Sequence, residues 1–404
     1  MLARLALALG TVFALALDPA PVQSPAGPAV EAQAAPAPLP SYAPVPGDAL
    51  FAAGDFDAAQ LSYETTLRTD PHNPGAELGL ARIALYRNDL ASAETHARAL
   101  AVDAPNDPRA QRYLTAIPLR RGDAPDLRAD PLAAEVDVPL TRVDPLPELE
   151  AKVDGKPARL LLDTGGAGLD LASTFARKLG LATRSAGQGV FAGGLHADVR
   201  QGHVDRLDLG AATVRSLPVS VLDQIPPDVD GVLGTNVLYD FLSTIDYRNR
   251  RLILRPKSDS ATFEHAAAAR GGTIVPMLLV PDHFIFVRAR AGKGPEALYN
   301  VDTGGGGIGV QLTKSSLDAA GIALDTTHPR NFRGGGGSVH AVPFVADVTL
   351  GERTWHGLPG LYFDNGDQYG IFPFAVAGTL SHELFKRGAL TFDFTAMRLV
   401  FEAP

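Results

Sequence analysis

The chain has no cysteine among its 404 residues. Disulfides, zinc thiolate sites and cysteine nucleophiles are therefore excluded together. That absence assigns no compartment, because an exported protein can simply lack cysteine. There is one tryptophan, Trp355, whose expected role is core packing. The ten histidines show no ligand spacing, and His196, His203 and His340 read as surface or loop residues. His382-Glu383 fails as a zinc motif because Lys386 stands where the second histidine should be. No basic patch stands out and the formal net charge is -9, so nucleic acid is not an expected partner. No metal and no cofactor is expected. No long apolar run occurs beyond the first residues, so no membrane association is expected apart from a signal segment.

That first run, Leu5 to Leu17, follows Arg4. It is too short for a comfortable membrane span and fits the apolar core of a signal peptide over residues 1–17. Ala14-Leu15-Ala16, or more weakly Ala32-Gln33-Ala34, offers small residues for cleavage. The mature protein is thus expected outside the cytoplasm, periplasmic or secreted. Residues 18–46 are rich in Pro and Ala (Pro36, Pro38, Pro40, Pro44, Pro46) and read as an extended linker. With 46% hydrophobic and 20% charged residues, the remainder can bury a full core.

Residues 47–117 carry a repeat. Gly54-Asp55-Phe56 recurs as Asn88-Asp89-Leu90, and Asp70-Pro71 as Ala104-Pro105, each 34 positions on. That period, with Ala59 and Ala93 where helices must approach closely, resembles tetratricopeptide repeats. Two repeats and a capping helix near Pro108 to Ile117 are fewer than such arrays usually need, so the block should lean on a neighbour. It could dock a protein partner or act as a spacer, and is expected to be dispensable for cleavage of small peptides. Residues 118–135 read as a second linker.

Strand signals dominate afterwards. Leu149 to Val153 and Ala158 to Leu162 flank Asp154-Gly155, a strong hairpin signal. Phe284 to Ala291 and Ala297 to Val301 flank a Gly292-Lys293-Gly294 turn. Both hairpins run into the same tripeptide, Asp163-Thr164-Gly165 and Asp302-Thr303-Gly304, whose aspartates lie 139 positions apart. Each copy is followed by a short helix with a glycine stop, Leu171 to Leu181 and Leu312 to Ile322. Gly231-Val232-Leu233-Gly234-Thr235 then pairs with Ala375-Val376-Ala377-Gly378-Thr379. Ser243 to Tyr247 closes the first half as Leu390 to Phe394 closes the second. Five landmarks in one order make an internal duplication: lobe 1 over 136–256, a connector over 257–270, and lobe 2 over 271–404.

These landmarks resemble retropepsin-like aspartic proteases of the bacterial type, over roughly residues 136–404. The resemblance implies a mainly β, bilobal pepsin/retropepsin-like fold behind an N-terminal all-α helical-repeat domain. It implies that Asp163 and Asp302 are paired catalytic carboxylates in a cleft, acting on a peptide or protein substrate. Thr164 and Thr303 would cross-link the two loops, with Gly165 and Gly304 supporting them. A flap is implied too, with Phe191, Gly193 and Gly194 or Phe332, Gly334 and Gly335 as candidates; neither carries a tyrosine. Gly166 and Gly305 stand where the family more often has Ala or Ser. Ala377, in place of a larger apolar residue, is expected to loosen packing beneath Asp302.

The residues alone support the same chemistry. Amide hydrolysis needs an activated water and a tolerated oxyanion. Two close carboxylates share one proton, so one can accept from water while the other donates to the carbonyl oxygen. Gly304-Gly305-Gly306-Gly307-Ile308-Gly309, with Asp325 beyond it, also fits a dinucleotide-binding loop. The first lobe lacks the third glycine, and no alternating βαβ units surround the loop, so this reading is set aside. Asp246 and Asp393 read as turn or strand-end residues. A second functional reading keeps the fold and drops the reaction: a catalytically inactive peptide-binding or scaffold protein.

Overall fold

The computed structural model describes residues 39–123, 127–191, 195–281, 283–334, 337–364 and 369–404. The signal segment and most of the first linker lie outside these residues.

Helices Pro46–Ala52, Phe56–Thr69, Pro74–Tyr86, Leu90–Asp103 and Pro108–Arg121 form the N-terminal block. The 34-residue period has a local cause. Asp55 and Asp89 cap Phe56–Thr69 and Leu90–Asp103 by accepting from the backbone N–H of Ala58 and Ser92. The residue before each cap, Gly54 or Asn88, takes a positive φ, which Gly and Asn tolerate. Ala59 and Ala93 are wholly buried where helices cross.

The last helix runs through Pro118 to Arg121, four residues into the expected linker. Arg120 holds it there, donating to the carbonyls of Leu85 and Leu279. Arg128–Ala129 then pairs with Ala212–Leu222 of lobe 1, so the expected linker is partly built into the fold. The expected connector likewise contains a helix, Ser260–Ala269.

Each lobe repeats one strand pattern. In lobe 1, Glu148–Val153 and Lys156–Leu162 form a hairpin, turned at Asp154 and Gly155, both at positive φ as a type I′ turn requires. Lys156–Leu162 lies parallel to Gly231–Leu233, which pairs antiparallel with Leu169–Ala172. In lobe 2 the same places are held by Phe284–Ala291, Ala297–Asp302, Gly378–Ser381 and Val310–Leu312. The helices Ser173–Leu179 and Lys314–Ala320 end at Gly180 and Gly321, both left-handed.

A six-stranded sheet joins the lobes, in the order Val136–Arg142, Arg251–Arg255, Leu242–Asp246, Ala389–Asp393, Arg398–Glu402, Thr273–Val280. Its pseudo-twofold runs between Thr244 and Thr391, whose hydroxyls are 2.7 Å apart. Asp246 and Asp393 accept turn N–H groups from Asn249, and from Thr395 and Ala396, as strand-end residues should.

The strand register corrects one pairing expected from the sequence. Leu160 and Tyr299, equivalent in the two lobes, face Gly231 and Gly378. Gly231-Val232-Leu233-Gly234-Thr235 therefore corresponds to Gly378-Thr379-Leu380-Ser381-His382, three residues beyond the segment chosen on sequence. The two matching Gly-Thr pairs misled the linear comparison. Leu380, wholly buried, fills the place expected for Ala377, so the expected loosening beneath Asp302 does not occur.

The slip arises from an insertion. Lobe 2 has 14 residues between strands Arg353–Phe363 and Gly378–Ser381, where lobe 1 has eight between Ala212–Leu222 and Gly231–Leu233. The longer segment carries Tyr369, Phe372 and Phe374 into a core shared with the helices. The Phe374 ring lies 5.2 Å from Phe56, 5.9 Å from Tyr86 and 5.3 Å from Phe286. Around it, Ala375 N–H donates to the Ala52 carbonyl, Arg288 to Gly54 and Asn88 to Phe394. On lobe 1, the Tyr239 hydroxyl donates to the Arg120 carbonyl. The helical block leans on its neighbour as its small size requires, and it is a wall of the fold rather than a separable appendage. Phe374→Ala should cost about 3–5 kcal/mol, as for other buried phenylalanines. Urea unfolding checks this, and a loss below about 1 kcal/mol would show that the aromatic seam does not hold the block.

Candidate active site

The two Asp-Thr-Gly turns meet at the lobe interface. Asp163 follows strand Lys156–Leu162 and Asp302 ends strand Ala297–Asp302; both are 3% exposed and face each other across the pseudo-twofold. The backbone N–H of Gly165 donates to Asp163 Oδ1 at 2.8 Å, and that of Gly304 to Asp302 Oδ1 at 2.8 Å. These bonds fix each carboxyl within its own loop. Thr164 N–H donates to Thr303 Oγ1 at 3.0 Å and Thr303 N–H to Thr164 Oγ1 at 3.1 Å. Thr164 Oγ1 in turn donates to the Val301 carbonyl. All of these groups are buried, so leaving any one unpaired would cost about 1–3 kcal/mol.

The glycines set the approach of the loops. A Cβ on Gly165 would stand 2.6 Å from the Asp302 carboxyl, and one on Gly304 would collide with the carboxyl of Asp163. The Gly-rich run after Asp302 thus serves the apposition of two loops. It enters a bend and the strand Val310–Leu312 rather than a helix, which removes the dinucleotide reading.

Burial, together with the neighbouring Asp302 carboxyl, pushes Asp163 well above the usual carboxylate range. The Gly165 N–H pulls weakly the other way. Proton uptake by the two carboxyls is therefore linked, and they titrate as a unit.

The loops are anchored differently from behind. Thr235 Oγ1 donates to the Thr164 carbonyl at 2.8 Å. In lobe 2, Ser381 Oγ donates to the Asp302 carbonyl at 2.5 Å and accepts from Gly305 N–H at 3.0 Å. Gly305 has no room for a side chain, because a Cβ there would strike Ser381 Oγ.

Two further titratable groups at the site went unnoticed in the sequence. Asp170 lies in strand Leu169–Ala172, is 2% exposed, and its Oδ2 has no hydrogen-bond partner. Burial pushes it up to about 7, against a hydrogen bond with Ser220. Its charge also raises Asp163 slightly. The signal was an acidic residue inside an apolar strand, answered by Gln311 at the equivalent place in lobe 2. His283, in the turn before Phe284–Ala291, is 3% exposed with its ring 3.9 Å from that of Phe284. Burial pulls it down to about 3, and the Gly165 backbone opposes that shift. A neutral imidazole from lobe 2 therefore abuts the lobe 1 loop.

Of the flap candidates, Phe191 ends strand Arg184–Phe191, which pairs with Leu195–Leu209, and its side chain is wholly buried. Gly193, Gly194 and Gly335 lie outside the described residues. Phe332 and Gly334 belong to strand Arg330–Gly334, paired with Gly337–Leu350. Among the described residues, no helix is long and apolar enough to cross a membrane. Trp355 is half-buried and packs on Phe401 at 5.2 Å, as a core residue.

Two stretches of the chain match known families. Residues 149–237 match the family described as aspartyl protease, and residues 50–117 match the tetratricopeptide repeat. Solved structures similar to the chain include the aspartic proteinase from Irpex lacteus, with 13% identity over 67% of this chain and 97% of that one, and a TM-score of 0.43. Basic 7S globulin from soybean gives 13% identity over 68% and 95%, with a TM-score of 0.38. A retropepsin-like aspartic protease from Rickettsia conorii gives 17% identity over 33% and 96%, with a TM-score of 0.23. A comparison with curated proteins found no match. The chain is β-rich and bilobal behind tetratricopeptide-type helices, and its first lobe matches the aspartyl protease model.

The buried carboxyls carry a signature in stability. A carboxyl raised in the folded state binds a proton that the unfolded chain has released. Stability is therefore lost as pH climbs from about 4 towards the folded value. For Asp170 that window ends near pH 7. Asp170→Asn should then stabilise the protein above pH 7 by up to roughly 4 kcal/mol, with little effect at pH 3. Asp163→Asn should act in the same direction. Denaturant titrations at pH 3 and pH 8 test the sign; a variant equally shifted at both would show that the native carboxyl does not hold the extra proton.

Proposed function

We propose that the chain is an aspartic-type endopeptidase in which Asp163 and Asp302 activate a water for attack on a peptide bond. The observation that carries this reading is the buried apposition of the two carboxyls, each against the opposite loop's glycine. One shared proton leaves one carboxylate ionised. As the water oxygen attacks the scissile carbonyl carbon, that carboxylate takes the water's proton, and the protonated partner donates to the carbonyl oxygen. Collapse of the tetrahedral diol breaks the C–N bond and moves a proton to the leaving amine, restoring the singly protonated pair. Thr164, Gly165, Thr303 and Gly304 act by holding the carboxyls, and need not touch the substrate.

Phe191, Gly193 and Gly194, and Phe332, Gly334 and Gly335, are the proposed covers of the cleft. Residues 1–17 are the proposed export signal, giving a periplasmic or secreted enzyme. The outer face of the helical repeats, with Leu61 and Val102 exposed, is the proposed surface for a protein partner.

Digestion of a mixed peptide library across pH 3–7 tests the activity. Asp163→Asn and Asp302→Asn should each lower the rate by at least about 10²–10⁴-fold, the usual worth of acid–base catalysis. Cleavage at undiminished rates in both variants would remove the pair from the mechanism. Peptide binding without cleavage by the unmodified chain would favour the scaffold reading instead.

A further inference from the structure

A cluster that the proposed reaction does not use lies beside the Asp302 loop. Asp144 comes from the turn after strand Val136–Arg142 of lobe 1, while His382 and Glu383 begin the helix His382–Phe385 of lobe 2. They offer one imidazole nitrogen and two carboxylate oxygens, all within 4.8 Å of one another. His382 is wholly buried, and neither ring nitrogen makes a hydrogen bond. Its Nε2 points at Asp144 Oδ1 from 3.9 Å, too far for a hydrogen bond. A buried polar group without a partner costs about 1–3 kcal/mol and requires a reason.

The surroundings keep the ring ready as a ligand. The Tyr247 ring meets it edge-on at 5.4 Å and confines its orientation. The two carboxylates already attract a cation: Lys386 Nζ lies 2.6 Å from Glu383 and 3.4 Å from Asp144. An ammonium satisfies the carboxylates but leaves the imidazole unused. A metal ion would satisfy all three.

We propose that Asp144, His382 and Glu383 bind a divalent transition-metal ion, Zn²⁺ foremost, which clasps lobe 1 to lobe 2. One imidazole with two carboxylates suits zinc better than calcium or magnesium, which prefer oxygen alone. Ligand atoms around tetrahedral zinc stand roughly 3.3 Å apart, so the 3.9 Å gap closes with a small movement of Asp144. The Asp144 side chain is 58% exposed, which provides an entry path and a fourth position for water. Lys386 swings towards solvent as the ion enters. Because Ser381, next to His382, bonds the Asp302 carbonyl, the ion would brace the segment that holds the second carboxyl.

The test is isothermal titration of the chelator-treated full chain with ZnCl₂, and separately with CaCl₂. One zinc per chain is expected, with no competition from calcium. Lys386→Ala should tighten binding roughly tenfold by removing the resident cation, whereas Asp144→Asn and Glu383→Gln should each weaken it at least about tenfold. The Lys386 result is decisive, because a plain salt-bridge cluster would lose stability in that variant without gaining zinc affinity. Absence of zinc binding in both the unmodified chain and Lys386→Ala overturns the proposal. So does binding that is unaffected by Asp144→Asn, which would place the ion at one of the exposed histidine–aspartate pairs such as His356 and Asp347. Asp144 is exposed, so its variant stays informative even if His382→Ala fails to fold. The readout is metal binding, so it stands or falls separately from peptidase activity.

Discussion

The structure depends on two buried loops being locked together across a pseudo-twofold. Reciprocal bonds between Thr164 and Thr303 set their distance, and the missing side chains of Gly165 and Gly304 make it short enough for the carboxyls to meet. Everything around them supports that contact. The six-stranded sheet fixes the two lobes on one axis, and the second strands of the hairpins deliver the aspartates from opposite sides. The contact opposes stability, since two carboxyls without water disfavour ionisation. The hydrogen bonds and the sheet must outweigh that cost, which makes the site a place where stability is given up for a shared proton.

The helical block belongs to the same construction. Two repeats cannot cover their own apolar face, and lobe 2 supplies the missing surface through an insertion that lobe 1 lacks. Phe372 and Phe374 stack there and meet Phe51, Phe56 and Phe286 mostly edge-on. Aromatic rings add directional contacts to area burial, so the seam also fixes the orientation of the helices. This breaks the symmetry of the duplicated lobes on the outside, while the inner loops remain nearly symmetric.

Departures from symmetry also concentrate behind the aspartates. Asp170 in lobe 1 answers Gln311 in lobe 2, and Gly234 answers Ser381. His283 from lobe 2 reaches the Gly165 loop, whereas Asp144 from lobe 1 reaches His382. The two carboxyls consequently sit in different electrostatic surroundings. Asp163 has a third carboxyl nearby, and Asp302 is backed by a serine hydroxyl. Unequal surroundings are what assign acid and base roles to chemically identical groups.

Sequence alone determined the features that depend on neighbouring residues. The Asp-Gly turn, the caps at Asp55 and Asp89, the glycine stops at Gly180 and Gly321, and the duplicated triplet follow from local backbone rules, so they are legible without coordinates. The tertiary structure decided what depends on register and burial. The equivalence of Gly231 with Gly378 follows from strand pairing, and the linear match was drawn to a decoy three residues earlier. The roles of Asp170, His283 and His382 arise because folding strips water from polar side chains, and no spacing of letters records that. The union of the helical repeats with the β lobes likewise rests on Phe374 crossing more than 300 positions of chain to meet Phe56, a contact whose free energy comes from three-dimensional packing alone.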